Sequence, residues 1–210
     1  MSEQPLAWPA DGYHDLPEGK IASVVTHLQM FEKPPLRPEV PDAPWSLTRL
    51  SAPASEEYLA LYRAVGTEWL WFTRLFLPSD ELAATIRDPK VEVYRLEAPG
   101  GDAGILELDF RQPRECELTY FGVTAGLIGG GAARWMMNRA IERAWSQPIQ
   151  RFWVHTCTLD DPRAPAFYMR SGFAPFRRQV EIADDPRLIG KAPTDSAAHV
   201  PVIGPGSALP

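Results

Sequence analysis

Three consecutive glycines, Gly129 to Gly131, stand between a run with strand character and an amphipathic segment that begins near Ala132. The first backbone N–H groups of a helix have no partner within the helix and lie at the positive end of its dipole. Glycine lets an anion approach such a backbone closely because it has no side chain. The arrangement therefore predicts a phosphate-binding turn, and a turn that only redirects the chain is the simpler alternative.

The neighbours of this turn argue against two common phosphate-binding motifs. A Walker loop requires Lys followed by Ser or Thr after its last glycine, and Ala132 and Ala133 stand there instead. A dinucleotide-binding fingerprint opens a series of βαβ units and needs an acidic residue about 20 positions later. Neither the placement nor the neighbours of Gly129 to Gly131 fit that pattern.

Two segments of the chain resemble the motifs of the GNAT acetyltransferase superfamily. Val123 to Ala133 is similar to its acyl-CoA-binding motif, Gln/Arg-x-x-Gly-x-Gly/Ala after a strand that ends in Val or Ile, with Ile128 at the position of Gln or Arg. Asp161 to Phe173 resembles the downstream pattern Asn-x-x-Ala-x-x-aliphatic/aromatic-Tyr-x-x-x-Gly-Phe, with Asp161 in place of Asn. The resemblance reaches from about Trp45 to Ile182 and follows the order of the superfamily.

The resemblance implies an acyl-CoA-dependent N-acetyltransferase. Such an enzyme moves an acetyl group from acetyl-CoA, its co-substrate, to a primary amine by direct attack and needs no metal. The amine belongs to a small molecule or a peptide. The expected cofactor-binding residues are Phe121, Val123, Ile128, Gly129, Gly130, Gly131, Ala132, Ala133 and Asp161.

Acyl transfer to an amine needs a base for the amine proton, a donor for the oxyanion and an acid for the departing thiolate. Glu117 precedes Val123 by six residues, the spacing of the base in lysine acetyltransferases of the superfamily, and Glu115 is a second candidate. A regular strand would place both carboxylates on the sheet face of Phe121 and Val123. Tyr168 matches the position of the general acid. The alternatives are a solvated strand carboxylate and a core tyrosine.

Aromatic residues are the candidate walls of the amine site. Trp69 and Trp71 lie where the superfamily has its acceptor-binding helices, and a dense aromatic core is the alternative interpretation. His155 lies in the strand beside the cofactor strand, where a buried structural histidine is the simpler interpretation. The backbone N–H of Val123 is the expected oxyanion donor.

The elements that must position these residues follow as strand, strand, helices, three strands, helix, strand, helix and strand. The strand–helix–strand part predicts a right-handed crossover and a parallel strand pair in an otherwise antiparallel sheet. The predicted fold class is α/β (α+β), a mixed and mostly antiparallel sheet flanked by helices, which is the GNAT fold. The strands are expected at 22–30, 45–50, 91–97, 103–110, 117–123, 151–156 and 173–182, and Ser55, Ser79 and Asp161 are expected to cap helices, with Pro162 as the first residue of the last one.

Composition limits the function classes. A net charge of −6 and a pI near 5.3 disfavour nucleic acid as a partner, because phosphate backbones require clustered Lys and Arg. The sequence has no apolar run of the length that crosses a membrane and no secretory signal pattern, so a cytoplasmic protein is expected. The four His residues are scattered, which predicts no metal site.

The expected organisation is a poorly ordered leader over residues 1–20, a single acyltransferase domain over 21–182 and a tail rich in Pro, Gly and Ala over 183–210. Cys116 and Cys157 are expected to be buried free thiols. The chain is expected to be a monomer or a homodimer. A non-catalytic acyl-CoA-binding or interaction module on the same fold is the alternative function.

Overall fold

The computed structural model describes residues 11–204 of the 210-residue chain. The predicted strands and helices all occur, and their ends agree with the prediction to within two residues. In chain order the elements are β1 Lys20–Met30, β2 Ser46–Leu50, α1 Ser55–Gly66, α2 Thr73–Phe76, α3 Ser79–Ile86, β3 Val91–Glu97, β4 Ala103–Asp109, β5 Glu115–Val123, α4 Ala132–Trp145, β6 Arg151–Cys157, α5 Ala164–Arg170 and β7 Ala174–Asp184.

The strands form one sheet in the order β2-β3-β4-β5-β6-β1-β7. Adjacent strands are antiparallel except β5 and β6, which are parallel and joined by the crossover helix α4. The predicted mixed sheet with one parallel pair is confirmed. The sequence pattern did not show that the first strand would lie between β6 and β7.

Helices cover the two faces of the sheet because each presents one apolar side. On one face α4 and α5 pack against β4, β5, β1 and β7, and the buried positions of α4 recur at three- and four-residue intervals, as in Met136, Ala140 and Ile141. On the other face α1 and α3 pack against β3, β4 and β5 through residues such as Tyr58 and Leu61. The sheet therefore lies between two separate hydrophobic clusters.

Three helix starts differ from the prediction. Ser55 and Ser79 are the first residues inside their helices, and the residue before each holds the cap position. Asp161 lies before α5, which begins at Ala164 with Arg163 at its cap. Asp161 accepts a hydrogen bond from the backbone N–H of Arg163 at 2.8 Å instead. Its side chain therefore stabilises the turn that precedes the helix.

A proline-rich segment, residues 31–45, connects β1 to β2 and has no regular secondary structure; we call it the strap. It runs over the α4 and α5 side of the sheet. The backbone of Arg37 exchanges hydrogen bonds with the side-chain amide of Asn138 in α4, at 3.3 and 2.8 Å. The ring of Trp45, at the end of the strap, lies 6.1 Å from the ring of Trp135.

The segment after β7 folds back onto the domain. Arg187 is buried and pairs with Asp185 at 2.7 Å, and it also donates to the carbonyl oxygens of Ser196 and Val200. Ala197 is buried in the cluster that contains Leu70 and Phe72. This part of the predicted tail therefore packs against the side of the sheet that carries α1.

Parts of the predicted leader and tail, residues 1–10 and 205–210, lie outside the described residues. Within the described residues, none of the helices is long and apolar enough to span a membrane. Both cysteines are free thiols, but only Cys116 is buried, whereas Cys157 is half-buried beside a cavity.

Candidate active site

The parallel strands β5 and β6 separate before they end. They are paired from Glu115 to Leu118 on β5 and from Arg151 to Val154 on β6. Both strands then continue, to Val123 and Cys157, without pairing to each other. A cavity of about 550 Å³ occupies the gap and is lined by residues from both faces of the sheet.

A β-bulge sets which side chains reach each face near this gap. Thr119 has no partner on β4, because the register shifts just before Tyr120. One extra residue reverses the alternation of side chains. Phe121 and Val123 therefore face α4, whereas Glu117 faces the α1 side, as does Tyr120. The prediction that Glu117, and with it Glu115, shares the face of Phe121 and Val123 is wrong for this reason.

The glycine turn forms the mouth of the cavity on the α4 side. Gly129 and Gly131 have φ values of 85° and 97°, a region that glycine reaches without strain. Gly131 is the N-cap of α4, which begins at Ala132 as predicted. The N–H groups of Gly129, Gly131, Ala132 and Ala133 make no hydrogen bond to the backbone of the described residues. The turn therefore offers several donors to an anion.

Most of the predicted cofactor-binding residues line this cavity. The exception is Ala132, whose side chain is fully buried in the core, so that only its N–H group is available at the turn. Ile128 lies at the rim, and its own N–H donates to the carbonyl of Ala125 at 3.1 Å. The carboxylate of Asp161 is bound by the guanidinium of Arg163, which keeps the pKa of Asp161 below its ordinary value.

Tyr168 lines the cavity from α5. Its side chain is buried, and its ring lies 6.4 Å from the ring of Phe121 and 6.0 Å from that of Phe173. Burial and the nearby carboxylate of Asp160 raise the pKa of the Tyr168 phenol well above its ordinary value. The hydroxyl therefore stays protonated at neutral pH and can act as a proton donor.

His155 and Glu117 form a pair on the opposite side of the sheet. The Nδ1 atom of His155 lies 3.3 Å from Oε1 of Glu117. Only His155 of the two lines the cavity, and its side chain is 44% exposed, so the interpretation of a buried structural histidine is wrong. Burial lowers the pKa of His155, but Glu117, Asp160 and Glu181 outweigh burial and raise it above the ordinary value. Glu115 pairs with Arg151 instead and does not line the cavity.

Asp160 is a site residue that sequence reasoning missed. One of its carboxylate oxygens accepts from the indole N–H of Trp71 at 3.0 Å. The other accepts from the hydroxyl of Thr156 at 2.8 Å and the N–H of Cys157 at 2.9 Å. The only feature of the sequence that could have indicated Asp160 was an acidic residue just after a buried strand. Asp160 thus joins the loop after α1 to the end of β6.

The two predicted tryptophans both line the cavity. Trp71 also packs within 5.5 Å of the ring of Tyr62 and 5.2 Å of the ring of Tyr120, so it is a core residue as well as a wall. The ring of Trp69 lies 6.0 Å from His199 of the C-terminal segment. The wall and core interpretations of this aromatic cluster are therefore compatible.

The mouth of the cavity on the α1 side, where His155 lies, is acidic. Asp160 and Glu181 both line it, and neither has a Lys or Arg nitrogen within 4.0 Å among residues 11–204. No group of three metal-ligating side chains occurs in that part of the chain, and the absence of a metal stays a prediction.

Comparison with known proteins identifies the family. The profile of the acetyltransferase (GNAT) family matches residues 53–173. No curated protein sequence matches the chain significantly.

Solved structures share the fold. A conserved protein of unknown function from Staphylococcus epidermidis has 15% identity and a TM-score of 0.54, over 80% of this chain and 63% of that one. A putative GNAT acetyltransferase from Novosphingobium aromaticivorans has 16% identity and a TM-score of 0.52, over 80% and 67%. A GCN5-related N-acetyltransferase from Sphaerobacter thermophilus has 17% identity and a TM-score of 0.54, over 80% of this chain and 52% of that one.

The chain thus spans less than two thirds of the first and third of these proteins. Identities this low show the fold alone, whereas the family profile covers more than half of the chain. The protein belongs to the GNAT acetyltransferase family.

Proposed function

We propose that the protein transfers an acetyl group from acetyl-CoA to a primary amine by direct attack. The observation that carries this proposal is the cavity through the sheet. The glycine turn lies at one mouth, the cofactor-side mouth, and His155 lies at the other, the acceptor-side mouth, with Glu117 in contact behind it. A thioester that enters from the α4 side and an amine that enters from the α1 side would meet in the gap between β5 and β6.

The cofactor binds on the α4 side in this proposal. The pyrophosphate accepts hydrogen bonds from the N–H groups of Gly129, Gly131, Ala132 and Ala133, which have no backbone acceptor among the described residues. The pantetheine arm follows β5 past Val123 and Phe121, both of which line the cavity. The N–H of Val123 is the proposed donor to the oxyanion.

Proton transfers on the two sides complete the reaction. The nitrogen of the neutral amine attacks the thioester carbon, the C–N bond forms and the C–S bond breaks. Tyr168 gives its proton to the departing thiolate. The amine proton goes to His155, which Glu117 orients through Nδ1. Glu117 was predicted as the base itself; the 3.3 Å contact supports a role as the partner of His155.

Charge favours an acceptor that carries a positive charge besides its neutral, reacting amine. Asp160 and Glu181 at the acceptor-side mouth have no basic partner among the described residues, and aromatic rings line the same wall. Carboxylates and aromatic faces both attract ammonium groups. We therefore propose a small-molecule or peptide amine with no carboxylate near the reacting nitrogen.

The test is thioester turnover with a panel of primary amines. Tyr168→Phe and His155→Gln are each expected to lower kcat/KM by about a hundredfold or more, since each removes an acid or a base. The matched control is Glu115→Gln, because Glu115 lies on the same strand as Glu117 but pairs with Arg151 outside the cavity. If Tyr168→Phe and His155→Gln both keep full kcat/KM on a verified substrate, the proposed roles are wrong.

A non-catalytic acyl-CoA-binding module is the second candidate. It is favoured by the two departures from the family motifs, because Ile128 has its N–H engaged and Asp161 is paired with Arg163. Such a module would bind acetyl-CoA tightly and would acetylate none of the amines tested. The cytoplasmic location and the monomeric or homodimeric state stay predictions.

A further inference from the structure

Three arginines without a carboxylate partner surround the cofactor-side mouth of the cavity. Arg37 comes from the strap, Arg134 from the first turn of α4 and Arg170 from the end of α5, and all three line the cavity. None of their guanidinium nitrogens lies within 4.0 Å of an Asp or Glu oxygen of residues 11–204. Arg163 lines the same mouth, but its charge is already paired with Asp161.

The strap brings these three charges together. A Cβ atom at Gly172, just beyond α5, would lie 2.8 Å from Cβ of Pro34, and one at Gly131 would lie 2.7 Å from Cγ2 of Val40. The strap therefore spans the distance between α5 and the glycine turn. Arg37 lies between these two contacts.

The side chain of Arg134 folds over the glycine turn. One of its terminal nitrogens would lie 3.6 Å from a Cβ atom at Gly131, and its buried Nε atom has no hydrogen-bond partner among residues 11–204. Burial and the charges of Arg134 and Arg170 lower the pKa of Arg37. Burial is the larger cause, and the two smaller ones place Arg37 close enough to Arg134 and to Arg170 for their like charges to repel.

An anion with more than one charge would relieve this repulsion. Arginine is suited to phosphate because its planar guanidinium makes two parallel hydrogen bonds, and a phosphomonoester carries close to two negative charges. The pyrophosphate of CoA already has the backbone N–H groups of the glycine turn as donors. The arginines are therefore available for the other phosphate of the cofactor.

We propose that Arg37, Arg134 and Arg170 bind the 3′-phosphate of CoA and thereby select CoA over nucleotide thiols that lack it. The inference rests on the proposed position of the pyrophosphate at the glycine turn. It assigns a function to the strap, which contributes Arg37 and holds it through Asn138.

The experiment measures the Kd of CoA and of 3′-dephospho-CoA for the full chain by calorimetry. We expect the wild-type protein to bind CoA at least about tenfold more tightly, the size expected for charge-assisted hydrogen bonds. Arg37→Gln and Arg170→Gln should weaken CoA binding by about tenfold and leave the Kd of 3′-dephospho-CoA unchanged. The ratio of the two Kd values should therefore approach one.

Arg163→Gln is the matched control, because it removes a paired arginine from the same mouth and should leave that ratio unchanged. Equal affinity of the wild-type protein for both ligands would overturn the arginine assignment alone. An equal loss of affinity for both ligands in Arg37→Gln would assign that residue to the pyrophosphate and also overturn it. Failure of the protein to bind either ligand would overturn the proposed function as well.

Discussion

The two mouths of the cavity are built in different ways. At the cofactor-side mouth the glycine turn offers backbone groups from six consecutive residues, 128–133, whose conformation is set by two glycines with positive φ, and arginine side chains surround this turn. The acceptor-side mouth consists of side chains from distant parts of the chain, as in the hydrogen bond between Trp71 and Asp160, which are 89 residues apart. A mouth made of backbone tolerates side-chain changes such as Ile128, whereas a mouth made of side chains depends on the packing beneath it.

A buried polar network supports the acceptor-side mouth. Glu107 is fully buried on β4 and accepts a hydrogen bond from the hydroxyl of Tyr58 at 2.6 Å. Arg74 of α2 forms an ion pair with the same carboxylate, and its neighbour Thr73 is hydrogen-bonded to Tyr120 at the cavity wall. The position of α2 therefore depends on a charge pair inside the α1-side core.

The largest effect is expected from breaking that pair. Glu107→Ala leaves the guanidinium of Arg74 buried without a counter-charge, and we expect it to lower the free energy of unfolding by about 3–5 kcal/mol in chemical denaturation. Glu115→Ala breaks the half-exposed pair with Arg151 and should cost less than about 1 kcal/mol.

The double variant Glu107→Leu/Arg74→Met replaces both charges with apolar groups and should recover most of the lost stability. A loss below about 1 kcal/mol in Glu107→Ala would show that α2 does not depend on this pair.

A smaller effect is expected from the glycines of the cofactor-side mouth. Gly131→Ala places a Cβ atom at a φ of 97° and 2.7 Å from Val40, so we expect a loss of about 1–2 kcal/mol in the free energy of unfolding of the ligand-free protein. Gly130→Ala should cost less than about 0.5 kcal/mol in the same measurement, because Gly130 has no positive φ and its nearest atom would be 3.6 Å away.

Gly129→Ala separates the two causes, since Gly129 has a φ of 85° but nothing within 4 Å. The loss in the free energy of unfolding of Gly129→Ala therefore measures the backbone strain alone. The difference between Gly131→Ala and Gly129→Ala then measures the contact with the strap. Equal stability of all three variants would contradict the proposed role of positive φ at this turn.

The contrast between a mouth built from neighbouring residues and one built from distant residues also explains which features could be predicted from the sequence. The start of α4 at Ala132 and the turn before it follow from residues that are neighbours in the chain, and both predictions hold. The face of Glu117 depends on a bulge at Thr119, which arises from pairing with β4 and has no local signal. The exposure of His155 depends on the separation of β5 and β6, which no single segment encodes. The order of elements was therefore predictable, and Trp69 and Trp71 line the cavity as expected, whereas the placement of Glu117, His155 and Asp160 was not predictable.

A third test varies the charge of the acceptor amine and so examines the acceptor-side mouth itself. Three primary amines of equal length, hexylamine, 1,6-diaminohexane and 6-aminohexanoate, differ only in the charge of the far end. The carboxylates of Asp160 and Glu181 attract the second ammonium and repel the carboxylate, so kcat/KM should fall in the order diamine, monoamine, amino acid, by about tenfold from first to last.

Glu181→Gln should reduce that spread, since it removes one charge from a residue that makes no ion pair among the described residues. A preference for the amino acid in the wild-type protein would contradict an acidic acceptor site.

The smallest effect is a shift in the pH profile, and it decides between Glu117 and His155 as the base. The pKa of His155 is raised above 6.5 by Glu117, Asp160 and Glu181, against the effect of burial. A base must be neutral to accept a proton, so kcat/KM should fall as the pH drops through this raised pKa. Glu117→Gln removes one of the contacts that raise the pKa of His155 and should move the acid limb to lower pH, with the plateau partly retained. A uniform loss of activity at every pH in Glu117→Gln, with the limb unmoved, would instead make Glu117 the base itself.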